Sequence, residues 1–95
     1  MTVLFIAQTR VKDIDKLQEY ISAAGPIMKT FGAEVLLRGK HLDTLLGDKQ
    51  SDHITGIFRF PNEDSVKSFL ACDAYKDLLS VRNQAGEMNF NLYQE

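Results

Sequence analysis

"FGAEVLLRGKHLDTLLGDKQSDHITGIFRFP", Phe31 to Pro61, contains two extended segments and no helix between them. "AEVLLRG" (Ala33–Gly39) and "HITGIFRF" (His53–Phe60) are of strand length and rich in branched and aromatic residues. The polar stretch between them, "KHLDTLLGDKQSD", reads as a loop that can carry a short extra ribbon ending at a Gly47-Asp48 turn. Upstream, "TVLFIAQ" (Thr2–Gln8) is a first strand. Asp13 can then cap a helix whose apolar stripe, Ile14, Leu17, Ile21, Ala24, Met28 and Phe31, recurs at steps of three and four. Gly25-Pro26 interrupts that stripe and predicts a kink or a break near Ser22–Pro26, and Gly32 ends the helix. Downstream, Asn62 caps "EDSVKSFLAC", Asp73 can cap a further short helix "AYKDLLSVRNQ" ending at Gly86, and "EMNFNLYQ" is the last strand.

The order is β-α-β-β-α-β, an α+β ferredoxin-like arrangement. Right-handed crossovers place the helices on one face of a four-stranded antiparallel sheet. Residues 1–95 are expected to form a single domain, because a second would have no core of its own.

Composition narrows the function classes. The chain is 44% hydrophobic and 25% charged, with a net charge of −2, so it offers no cationic footprint for nucleic acid. No apolar run approaches the roughly 20 residues of a membrane span, and "MTVLFIAQTR" lacks the features of a signal peptide. A single cysteine, Cys72, fits a reducing cytoplasm.

Alternation along the strands sorts residues into two faces. Val35, Leu37, Ile54, Phe58, Phe60, Met88, Phe90 and Leu92 form an apolar set that must meet the helices. The opposite face then carries Glu34, Leu36, Arg38, Thr55, Ile57, Arg59, Asn89, Asn91 and Tyr93, joined by Leu4 and Ile6 or by Val3 and Phe5. A solvated sheet face should be mostly polar, and this one is half apolar. Packing it against a second copy would close the sheets into a barrel with a mixed-polarity interior, with Arg38 pointing into the space between sheet and partner. An RNA-recognition motif shares this strand order, but by parity Phe58 and Phe60 face the helices and are not free to stack bases.

The segments "FGAEVLLRGKHLDTLLGD" and "IFRFPNEDSVKSFLACDAYKDLLSVRNQA" resemble the small bacterial family called domain of unknown function 1330. The chain keeps Phe31-Gly32, Arg38-Gly39, Gly47, Phe60-Pro61, Tyr75 and Arg82 of that family's pattern. It departs from it at Lys40 (for glycine), at Leu46 and Arg59 (each for glutamate), and at Phe69-Leu70 (for Trp-Tyr). If the absent acids pair with the family's arginine, either Glu34, on the same face as Arg38 and Arg59, or a carbonyl-rich or anionic ligand would compensate. The resemblance implies the dimeric α/β-barrel superfamily and a homodimer. It also implies relatives that include cofactor-independent monooxygenases, muconolactone-type isomerases, dehalogenation and decarboxylation enzymes and small stress-related binding proteins.

Arg38 cannot act as a base near neutral pH but suits a carboxylate, phenolate or enolate. His41 and His53 have unperturbed pKa values near neutrality and are the general-base candidates. Arg59, Tyr75, Arg82, Asn89, Asn91 and Tyr93 complete the candidate ligand-binding set, and Tyr20 is a further hydrogen-bonding group. Tyr75 and Arg82 lie two helical turns apart, and the structural reading is ahead for both: Tyr75 packs on Leu78 and Leu79, and Arg82 pairs with a surface acid such as Asp77 or Glu87. His41, Asp43, Asp52 and His53 have no metal-site spacing, and no metal or cofactor is expected. The expected protein is a small cytoplasmic, cofactor-independent enzyme acting on a small carbonyl or aromatic metabolite. The alternative is a non-catalytic small-molecule-binding or stress-response protein using the same pocket, and a third reading is a dimer interface with no ligand.

Overall fold

In the computed structural model, which describes residues 1–95, strand β1 (Val3–Val11) leads into helix α1 (Ile14–Thr30) and edge strand β2 (Glu34–Lys40). Strand β3 (Ile54–Phe60) follows, then helices α2 (Glu63–Ala71), α3 (Asp73–Lys76) and α4 (Leu79–Ala85), and strand β4 (Gly86–Gln94). The sheet runs in the order β2-β3-β1-β4 with every pair antiparallel, the split β-α-β arrangement expected. No helix is long and apolar enough to cross a membrane.

Local chemistry explains the boundaries. Asp13 accepts from the amides of Asp15 and Lys16, satisfying first-turn donors of α1. At the other end Ala33 N–H bonds the Met28 carbonyl and Gly32 N–H bonds that of Lys29, a Schellman cap with Gly32 at φ 85°. A Cβ on Gly32 would also lie 2.7 Å from Pro61 Cγ, so the cap seats α1 against the end of β3. The Asn62 side chain caps α2 through the Ser65 amide at 2.8 Å.

Three expectations are corrected. Helix α1 runs unbroken through Gly25 and Pro26. Both Pro26 and Ser22, whose carbonyl the proline leaves without a donor, are exposed, so water satisfies what the ring removes. The segment between Lys40 and Ile54 forms no ribbon; it is a loop with Gly47 at φ 92°. The helix expected after Asp73 is two short ones, and Asp73 opens α3 without capping it.

The core is one layer thick. Only 14 of 95 residues are buried, and the molecule measures 34 × 31 × 16 Å. Phe5, Phe58, Phe60 and Phe69 pack with centroids 6.0–6.5 Å apart, and Tyr75 sits edge-on to Phe69 at 4.8 Å. Phe58 and Phe60 lie under the helices, as their parity predicts.

The other side of the sheet is uncovered. Register places Leu4, Ile6 and Gln8 of β1 opposite Arg59, Ile57 and Thr55 of β3, and opposite Tyr93, Asn91 and Asn89 of β4. Leu4 and Ile6, not Val3 and Phe5, therefore supply the first strand's share of this face. Its apolar members are half-buried or exposed, with Leu37 at 48% and Tyr93 at 53%.

Strand β2 departs from simple alternation. Val35 pairs with Phe58 and Leu37 with Ile57, so Leu36 is an extra residue, a β-bulge on the edge strand. Beyond it every side chain changes face. Leu37 joins the open face beside Ile57, and Arg38, opposite Gly56, turns to the helix side, where it remains exposed at the sheet edge. The expectation that Arg38 points between sheet and partner is thereby reversed.

Candidate functional site

The bulge delivers Arg38 to a cavity of about 80 Å³ between α1 and the sheet. Its walls are apolar: Leu17, Ala24 and Met28 from α1, Phe5 and Phe58 from the central strands, Met88 and Phe90 from β4. Leu17, Ala24 and Met28 belong to the stripe read from the sequence, so the face that builds the core also roofs the cavity. The exposed Arg38 side chain makes no ion pair and no hydrogen bond to the protein. Its guanidinium carbon stands 5.5 Å from the centroid of Phe58. Gly25 passes beside it, and a Cβ there would be 3.8 Å from Arg38 Nη2.

Tyr20 brings a phenol to the cavity wall, which also carries Thr9 and Thr55. Its hydroxyl lies 2.8 Å from that of Tyr75, and Arg82 Nη1 donates to Tyr75 Oη at 3.2 Å. Burial pushes the Tyr20 phenol well above its ordinary range, so it stays protonated. Tyr75 is 1% exposed, a core residue as its helical spacing suggests. Arg82, however, pairs with no surface acid. It reaches inward over the rings of Tyr75 and Phe90, at 5.9 and 6.0 Å.

The remaining candidates lie elsewhere. Asn89, Asn91 and Tyr93 stand on the open face, with the sheet between them and Arg38. His41 and His53 stack at 4.6 Å where the loop leaves β2 and rejoins β3, tied by the His41 N–H bond to the His53 carbonyl. His53 is buried, its Nδ1 meets the Ser51 carbonyl at 2.9 Å, and its ring borders a polar hollow on the open side with Gln8 and Asn89. Neither histidine lines the cavity that holds Arg38. The pairing of a histidine with Arg38 expected from sequence is therefore not formed within one chain, because the bulge moved one group and not the others.

Arg59 is occupied. Its Nε and Nη2 donate to Glu95 at 2.8 and 2.7 Å, and Nη1 donates to Glu34 at 3.3 Å. Glu34 thus compensates Arg59, whose guanidinium is closed to a ligand. The Arg59 hydrogen bond, then that from Thr2, holds the Glu95 carboxyl down at about 2.

The residues that sequence reasoning left out of the cavity are Met28, Met88 and Phe90. Tyr20 was visible, three residues after Leu17 and four before Ala24, a polar-tipped aromatic on an otherwise apolar stripe.

A four-stranded antiparallel sheet with helices packed on one face and a cavity beneath them defines an α+β protein of ferredoxin-like fold. The chain belongs to the family described as Domain of unknown function (DUF1330), which matches residues 2–95. No curated protein matches it in sequence. Among solved structures it is similar to a protein of unknown function from Rhodopseudomonas palustris, at TM-score 0.79 and 16% identity, covering 99% of this chain and 82% of that one. It is similar also to a dimeric ferredoxin-like protein of unknown function from Jannaschia sp. CCS1, at TM-score 0.78 and 6% identity over all of both chains. A third is SnoaB, a cofactor-independent oxygenase from Streptomyces nogalater, at TM-score 0.73 and 8% identity, covering 99% of this chain and 92% of that one. Likeness at these identities establishes the shared fold.

Proposed function

We propose that the protein binds a small, largely apolar molecule bearing a carbonyl or anionic oxygen, in the cavity between α1 and the sheet. The observation that carries this reading is Arg38, a guanidinium without a carboxylate partner, turned by the Leu36 bulge onto the apolar wall at Phe58. A permanently charged planar donor beside apolar surface is suited to a carboxylate or enolate attached to a ring or short chain. A cavity of about 80 Å³ is below the about 150 Å³ that holds benzene in an engineered site, so a one-ring ligand requires Met28 and Met88 to move. The working unit is a homodimer joined through the open sheet faces, a reading supported by the apolar Leu4, Ile6, Ile57 and Leu37 there and by the dimeric ferredoxin-like neighbour. A reducing cytoplasm suits its one free cysteine, Cys72.

A second reading, a cofactor-independent enzyme, draws on the fold shared with SnoaB. In it Arg38 would hold negative charge developing on the substrate oxygen. The only titratable side chains in the cavity wall are Tyr20 and Arg38, and neither is a base near neutral pH. Binding is therefore the reading preferred here.

Benzoate and toluene are matched probes, one with and one without the anionic oxygen. Calorimetric titration should show Arg38→Ala weakening benzoate about ten- to a hundredfold, the loss expected for a charged hydrogen bond, with toluene unchanged. Equal benzoate affinity in the wild type and Arg38→Ala would remove Arg38 from the site. Failure of both probes to bind would remove the cavity.

A further inference from the structure

The hydrogens of the Arg82–Tyr75–Tyr20 chain can be placed from chemistry alone. A guanidinium donates and never accepts, so Tyr75 Oη receives the Arg82 Nη1 proton at 3.2 Å. The Tyr75 hydrogen then has one acceptor within reach, the Tyr20 oxygen at 2.8 Å. The opposite direction, Tyr20 donating to Tyr75, would leave the Tyr75 hydrogen without a partner on a residue that is 1% exposed. Tyr75 must therefore donate to Tyr20. The Tyr20 hydroxyl hydrogen is left with no acceptor in the protein, and Tyr20 lines the cavity.

We infer that Arg82, acting through Tyr75, fixes Tyr20 as a hydrogen-bond donor into the cavity, so that the site favours ligands presenting an acceptor atom. This rests on the cavity being the binding site, and it narrows the ligand class: ketones, aldehydes, esters, nitriles and carboxylates fit. Tyr20 is the specificity-determining residue; Tyr75 and Arg82 are positioning residues. Arg82 also lies over Phe90, a wall of the same cavity, so it is held in place from two sides. An occupant carrying an acceptor completes the chain by pairing the Tyr20 hydrogen.

Benzonitrile and toluene, neutral one-ring molecules differing in one acceptor group, are the test. The readout is the ratio of their affinities, measured by NMR titration at the Met28 and Met88 methyl groups. Tyr20→Phe and Arg82→Met should each lower the benzonitrile-to-toluene ratio about fivefold or more relative to wild type, whereas Arg82→Lys, which keeps a donor, should retain it. A general loss of packing would weaken both probes together and leave the ratio unmoved. An unchanged ratio in Tyr20→Phe would overturn the inference outright. An unchanged ratio in folded Arg82→Met alone would overturn the positioning role, and if that variant does not fold, Tyr75→Phe reads the same link. Toluene binding with no ratio change refutes only this inference. Neither probe binding to the wild type refutes the cavity itself and the inference with it.

Discussion

Arg38 and Phe58 sit on neighbouring strands and meet on the helix-covered side of the sheet, guanidinium carbon 5.5 Å from the ring centroid. One extra residue, Leu36, separates this arrangement from the simple alternation read from the sequence. Deleting Leu36 removes the bulge and leaves Leu37 opposite Ile57 and Arg38 opposite Gly56, so Arg38 stays on the helix side. The deletion variant should fold, because β2 is an edge strand, and should keep benzoate affinity within about twofold of the wild type. A loss as large as that of Arg38→Ala, measured by the same calorimetry, would mean that β2 slides on β3 once the bulge is gone.

The bulge also marks where the sequence ceased to be legible. Strand order, helix faces, the caps at Asp13 and Asn62 and the stop at Gly32 each follow from local chemistry that a few neighbouring residues carry. A bulge in "AEVLLRG" does not, since Val35, Leu36 and Leu37 are all apolar and read equally well in either register. Only the pairing with "GIFRF" across the strand decides it, and that pairing sets Arg38 opposite Gly56, where a Cβ would lie 2.8 Å from the Phe58 ring. The unbroken α1 has a similar explanation. Whether Pro26 breaks a helix depends on whether the deprived carbonyl reaches water, and that depends on which face the sheet covers.

Two glycines should respond oppositely to alanine. Gly25 lies inside α1, and a Cβ there meets Arg38 Nη2 at an ordinary 3.8 Å. Gly25→Ala should therefore raise stability by about 0.5–1 kcal/mol through helix propensity. Gly32 has φ 85° and a Cβ site 2.7 Å from Pro61 Cγ, so Gly32→Ala should lower stability by about 1–2 kcal/mol. Urea denaturation of both variants measures this directly, and shifts of the same sign would contradict the local geometry.

The histidines give a test of compartment. His41 and His53 stack at the loop base on the side away from the cavity, so substituting them should leave benzoate affinity within about twofold while costing stability. His53→Ala removes a buried ring bonded to the Ser51 carbonyl and should show the larger loss, about 1–2 kcal/mol in urea. A tenfold loss of benzoate affinity in a stably folded His41→Ala or His53→Ala protein would bring the histidines back into the site.

Acid should weaken the protein through Glu95. Arg59 holds its carboxyl at about 2, against 4.5 for the free group. A folded value below the unfolded one means that the pairing stabilises the fold above about pH 4.5 and that this contribution disappears as pH falls from there through about 2. Melting temperature against pH should therefore drop more gently over that window in Glu95→Gln than in the wild type, while lying lower than the wild type at neutral pH. Parallel curves would show that the Arg59 contact does not persist in solution.

The open face predicts its own partner. Ile57 sits at its middle, opposite Ile6 on one side and Leu37 on the other. In a homodimer joined through these faces, Ile57→Glu places a carboxylate in desolvated surroundings, which should raise the dimer dissociation constant at least about a hundredfold, or about 3 kcal/mol. The side chain does not reach the helix-covered core, so the monomer should remain folded. The cavity lies on the opposite side of the sheet and is walled by one chain, so sedimentation should report a monomer while benzoate still binds. If the wild type itself sediments as a monomer at micromolar concentration, the apolar face has another occupant. If dissociation abolishes benzoate binding, the partner supplies part of the site, and the cavity is not the self-contained feature of one subunit that its walls describe.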